Sequence, residues 1–238
     1  MEENMITELE RIIKDSSTTT EINGETYSNQ NLKLVRNIDK AETIHFNDLS
    51  SLVSMIKVEL DLFTKPLFIN IKSESVVDVI TGMDKFKERE IPYSAHCIDR
   101  KFRYGYFYSY EDFIIAIRSQ FVQNTDSAEL LELLKKVTSG SSVETSDDGI
   151  TQRVTTEKGM SLNSSILATP IRELSPFRTF NEVRQPKSEF LFRIRDNQFA
   201  LFEADGGAWQ KEAKENIREF FMESLADEIE KGDVVVVS

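Results

Sequence analysis

Apolar positions along this chain recur with two periods. Helical spacing marks residues 2–14 (Met5, Ile6, Leu9, Ile12, Ile13), a segment capped by Asn47 or Asp48 (Leu49, Leu52, Val53, Ile56, Leu60), and one capped by Ser109 (Tyr110, Phe113, Ile114, Ile117, Phe121). Asp126 with Glu129 marks another helix start (Leu130, Leu131, Leu133, Leu134, Val137), which Gly140 stops, and the spacing returns from Ala208 to Ile229 (Trp209, Ala213, Ile217, Phe220, Phe221, Leu225). Short apolar or alternating runs predict strands at 42–46, 67–71, 93–98 and 234–237, while 76–80 reads as a strand or a short helix. Residues 190–194 and 199–203 form a hairpin around Asp196-Asn197.

These periods predict an α+β fold: a mixed sheet packed with several helices, an N-terminal helical arm and a projecting β-hairpin. Residues 1–40 read as the arm and its flexible connection, because Ser16 to Asn31 is polar and rich in Ser, Thr and Asn. A helix as short as 2–14 is not stable alone, so its apolar stripe must dock on the body or on another subunit. Residues 41–238 read as the main domain, with the projecting hairpin at about 142–168, a hairpin or meander of short polar strands around Asp147-Asp148-Gly149 and Lys158-Gly159. Strands polar on both faces are weakly specified alone and often pair with a partner.

Composition narrows the function classes. The chain of 238 residues has 41 acidic against 29 basic side chains, a formal net charge of -12 that disfavours general coating of nucleic acid. One cysteine, Cys97, excludes an intramolecular disulfide and any multi-thiolate metal site. No apolar run approaches the roughly 18 residues that cross a bilayer, and the N-terminus is acidic with helical spacing. The expectation is a cytoplasmic protein in a reducing compartment, with no membrane partner.

Candidate chemistry is sparse. His45 and His96 sit in separate predicted strands without HxxxH or HxH spacing, so core or surface roles are expected rather than a metal site. Cys97 beside His96 in a strand points to the opposite face, which argues against an activated thiolate. No GxxxxGK[ST], GxGxxG or GxSxG motif occurs, and nothing in the residues calls for a cofactor. The acidic candidates are Glu203 and Asp205, at a strand end before Gly206-Gly207 and a helix; a capped turn is favoured there over a divalent-metal hydrolytic site. Arg172, Phe177, Arg178, Phe180 and Arg184 interleave cations with aromatics in a proline-bounded stretch. That pattern suits single-stranded DNA, but the acidity of the chain favours cation–π packing or an interface with acidic neighbours.

Four phrases carry a resemblance: SYEDFIIAIRSQF (109–121), DDGITQRVTTEKG (147–159), PFRTFNEVRQPKSEFLFRIRD (176–196) and ALFEADGGAWQKEA (200–213). Through them the C-terminal half of the chain resembles the YfdQ-like proteins, an uncharacterised family encoded in phages and prophages. The resemblance implies phage or prophage origin and an intracellular role, and supplies no activity and no catalytic residues. The expectation is therefore a phage accessory protein that works by homo-oligomeric assembly and binding, not catalysis. The alternatives are a module binding single-stranded DNA or a recombination protein, an antagonist of a host defence protein, and, last, a metal-dependent hydrolase.

Overall fold

The computed structural model describes residues 19–22, 25–28, 41–85, 87–98, 102–138, 142–147, 152–158, 161–166 and 171–238. The chain divides into two units, Met1–Ala41 and Glu42–Ser238. In the first, β1 (Thr19–Ile22) and β2 (Glu25–Ser28) pair antiparallel, with Thr19 opposite Ser28 and Ile22 opposite Glu25. A hairpin therefore replaces part of the expected flexible connection. Thr, Ile and Tyr favour extended backbone, and the Asn23-Gly24 dipeptide between the strands is a hairpin signal outweighed in the sequence by the surrounding polarity. The helix expected over 2–14 lies outside the described residues.

The second unit opens with β3 (Ile44–Phe46) and α1 (Leu49–Glu59), whose cap Asp48 accepts a 2.6 Å hydrogen bond from the Ser51 N–H. Strands β4 (Leu67–Ser73), β5 (Val76–Ile80) and β6 (Tyr93–His96) follow, so 76–80 is strand and not helix. Helix α2 (Tyr110–Gln120) is capped by Ser109, and α3 (Thr125–Thr138) comes next. The cap of α3 is Asn124 rather than Asp126: Asn124 Oδ1 accepts from the Ser127 N–H and Ser127 Oγ from the Asn124 N–H, both at 2.9 Å.

Strands β7 (Ser142–Asp147), β8 (Gln152–Lys158) and β9 (Ser161–Ile166) make an antiparallel meander of three strands, one of the two arrangements expected there; the turns between them lie outside the described residues. Then come β10 (Ile171–Leu174), β11 (Ser188–Arg195) and β12 (Gln198–Glu203). The β11–β12 turn places Asp196 at φ 49° and Asn197 at φ 59°, the left-handed pair a two-residue hairpin requires. Helix α4 (Ala208–Ser224), helix α5 (Ala226–Glu230) and β13 (Val234–Val237) close the chain. One helix to Ile229 is expected, but Leu225 (φ -121°, ψ 29°) breaks it in two. The apolar stripe continues through the joint because Leu225 stays fully buried, so spacing alone does not register the turn.

Five strands form a mixed sheet in the order β13-β4-β5-β6-β3, with β13 parallel to β4, β3 parallel to β6 and the other neighbours antiparallel. Helices α1 and α4 cover one face, where Leu52, Ile56, Ile217 and Phe221 meet Ile69, Val79 and Tyr93. The alternate positions of each strand face the other way, and no described helix covers them. A second core lies between the β10-β11-β12 sheet and the pair α2 and α3. It is built on aromatic rings: Phe102 meets Tyr104, Tyr108, Phe113 and Phe121, and Phe192 stacks on Phe199. Each buried Phe contributes on the order of 2–3 kcal/mol.

The stretch from Pro176 to Pro186 buckles the two cores together. Phe180 (1 % exposed) and Val183 enter the first core, while Leu174 just before them belongs to the second. Gln185 folds the stretch on itself: its side chain accepts from the Arg178 N–H at 3.0 Å and donates to the Phe180 carbonyl at 2.9 Å. Thr179 Oγ1 donates to the Glu74 carbonyl, and Glu182 Oε1 accepts from the Leu49 N–H at the start of α1.

Candidate binding site

The buckle positions Arg178 where β11, β12 and α4 meet. Its side chain is 8 % exposed, and Nη1 donates at 2.9 Å to Glu203 Oε1. Nη2 donates to the Ser188 hydroxyl, and the guanidinium lies 3.9 Å from the centroid of the Trp209 ring, with Phe190 and Tyr104 further out at 5.7 and 5.9 Å. Burial holds the Arg178 pKa below the usual guanidinium range, and Tyr104, Glu203 and Asp205 only partly offset it. Burial likewise raises the Tyr104 phenol, whose buried oxygen has no hydrogen-bond partner among the described residues.

Asp205 stands beside this group at the turn into α4. Burial works to raise its pKa but is outweighed, in order, by the Ser188 hydroxyl, the Gly207 N–H, the Arg178 cation and the Trp209 N–H, so the carboxyl sits below its ordinary value. The geometry is an Asx turn: Oδ1 accepts from the Gly207 N–H at 3.1 Å. Gly206 (φ 63°) and Gly207 (φ 84°) supply the left-handed backbone that lets the chain turn from β12 into α4. Glu203 is thus an ion-pair partner and Asp205 a turn residue. Among the described residues no group of three His, Cys, Asp or Glu side chains is arranged to hold a metal ion.

The sequence candidates separate. Arg178 and Phe180 are committed inside the chain, the cation–π packing of Arg178 being intramolecular. Arg172, on β10 opposite Phe190, is half-buried, and its Nε has no hydrogen-bond partner among the described residues. Phe177 is half-buried and lines a depression of about 560 Å³ with Arg184, Lys187 and Glu212. Only Arg184 is largely exposed, 3.4 Å from both Glu212 and Asn216. A second depression of about 520 Å³ shares Lys187 and Glu212 and has Trp209, Ser188 and Asp205 on its wall. Lys187 bridges loosely to Glu173 (3.6 Å) and Asp126 (3.9 Å). An aromatic wall rimmed by charges of both signs suits binding of a polar surface.

Trp209, Ser188 and Tyr104 complete this cluster and are missed by sequence reasoning, since Trp209 reads as one more apolar position of the helix. The histidines are also not as their spacing implies. Parallel pairing of β3 with β6 brings the His45 and His96 rings to a centroid separation of 5.7 Å, and both side chains are exposed. Cys97 packs toward the first core, away from them. No described helix is long and apolar enough to cross a membrane. No family model, no curated protein and no solved structure matches the chain.

Proposed function

We propose that the chain acts by self-assembly and binding, as an accessory protein of phage or prophage type, rather than by catalysis. The observation that carries this reading is the outer edge of β13. Its sequence is Val-Val-Val-Val, it has no proline, charge or bulge, and no described strand pairs with its free side. Val235 and Val237 are 38 % and 43 % exposed beside the helix-free face of the sheet. Proteins normally blunt such an edge with lysine, proline or a bulge, or else pair it. Pairing β13 with its copy about a two-fold axis is antiparallel and continues one sheet across two subunits.

Phage or prophage origin rests on the four phrases resembling the YfdQ-like proteins, and a cytoplasmic location on the same resemblance. Aromatic–arginine recognition of single-stranded DNA is the weaker reading, because Arg178 and Phe180 already have partners within the chain.

The test is the absolute mass of the purified protein in solution, by light scattering or mass photometry, at low and high salt. A discrete multimer is expected to persist at high salt, because the edge is apolar, and to dissociate in the Val235→Lys, Val237→Lys double variant. A monomer at micromolar concentration overturns self-assembly and leaves the edge to a strand from a host or phage protein.

A further inference from the structure

The helix-free face of the five-stranded sheet carries a polar row. Asn70, Asp78, Ser94 and His45 are consecutive register partners across β4, β5, β6 and β3, so their side chains share that face. Asp78 and Ser94 are 6 % and 4 % exposed, whereas the rings of His45 and His96 reach solvent. Ser94 Oγ donates to Asp78 Oδ1 at 2.5 Å and lies 3.0 Å from His96 Nε2. Lys72 closes the far end with a 3.1 Å ion pair to Asp78.

This chain of contacts selects a tautomer. A serine hydroxyl has one proton, and here it goes to the Asp78 carboxylate. Toward His96 the hydroxyl can therefore only accept, which places the imidazole hydrogen on Nε2 and leaves the lone pair on Nδ1. Metal-binding histidines are oriented this way, by donating one ring N–H toward a carboxylate or another acceptor while the second nitrogen ligates. Here the carboxylate acts through an intervening hydroxyl. The two rings are also at a suitable distance. With metal–nitrogen bonds of about 2.0–2.1 Å and ring centroids about 1.1 Å behind the nitrogens, a tetrahedral pair of imidazoles has centroids about 5 Å apart and a linear pair about 6.4 Å.

We propose that His45 and His96 form a two-imidazole site for a borderline first-row divalent cation, Zn²⁺, Ni²⁺ or Cu²⁺, with water as the remaining ligands and the Asp78–Ser94 pair as the device that orients His96. Imidazole nitrogen suits these ions, whereas Mg²⁺ and Ca²⁺ prefer oxygen. Neither ring is needed by the core, so the site is independent of the self-assembly reading.

The experiment is calorimetric titration of the full chain with NiCl₂ and, separately, ZnCl₂. Variants are His45→Ala, His96→Ala, Ser94→Ala and Cys97→Ser, with MgCl₂ as the oxygen-seeking control. Expected are a saturable site lost by at least tenfold in affinity in either histidine variant, a drop of about tenfold in Ser94→Ala, no loss in Cys97→Ser, and no heat from Mg²⁺. Both histidines are exposed, so their variants keep the fold. Absence of saturable binding, binding that survives both histidine variants, or binding lost only in Cys97→Ser overturns the proposal.

Discussion

The central carbon of the Arg178 guanidinium lies over Trp209, 3.9 Å from the ring centroid. This contact ties the Pro176–Pro186 buckle to α4, and its second anchor is the Glu203 carboxylate at the end of β12. A desolvated guanidinium over an indole is worth about 2 kcal/mol, and a hydrogen bond from a charged donor contributes about 1.5–3 kcal/mol. Since Glu203 is partly exposed, solvent screens part of its contribution.

Arg178→Ala should therefore lower stability by about 2–4 kcal/mol. The measurement is a urea or guanidinium midpoint. Trp209 is the only tryptophan, so its emission should also shift in the folded state of the variant. Arg178→Lys should recover only part of the loss, because an ammonium cannot donate to Glu203 and Ser188 while lying over the ring. Unchanged stability and emission would refute the role given to this contact.

Gly82 should not accept a side chain. A Cβ built there meets the carbonyl oxygens of Thr64 and Lys65, each at 2.7 Å, and both are backbone atoms that cannot rotate away. Gly82→Ala is expected to cost about 1–3 kcal/mol by overpacking. A thermal or denaturant midpoint equal to that of the wild type would show that the 64–65 segment yields.

The β11–β12 turn should discriminate at Asn197 (φ 59°). Asn197→Ala is expected to destabilise by about 1 kcal/mol, since alanine gains nothing in the left-handed region, whereas Asn197→Gly should be neutral within a few tenths. Equal midpoints for the two variants would count against a turn held by its backbone angles.

Acid sensitivity should pass through Asp205. Its folded pKa is below the ordinary 3.8, so its contribution is fully present above that value and is lost as pH falls through the lower folded pKa. Between about pH 5 and about pH 2, the stability difference between wild type and Asp205→Asn should shrink as the wild-type carboxylate is protonated. A difference independent of pH across that window would show that the charge of Asp205 is not what the turn uses.

Much of the fold is legible in the sequence where one buried face imposes one period. The stripes of α1, α2 and α4, and the β11–β12 hairpin with its Asp-Asn turn, follow from spacing and turn chemistry alone. Errors fall where a local signal competes with backbone geometry. The break at Leu225 is hidden because the leucine stays buried through it, and the cap of α3 moves to Asn124 because Asp126 already lies inside the helix. The Asn-Gly signal at 23–24 is outweighed by the polar residues around it.

By itself the sequence determined the α+β class, the helix stripes and the strand runs, because burial leaves its period in the order of residues. The sites are different, since they depend on which strands become neighbours. Arg178 and Trp209 stand apart in sequence and meet only when the buckle seats against α4. His45 and His96 meet only because β3 runs parallel to β6, with Ser94 and Asp78 beneath them. Tertiary pairing decided these contacts because long-range register is set by packing both faces at once, and no local period records it.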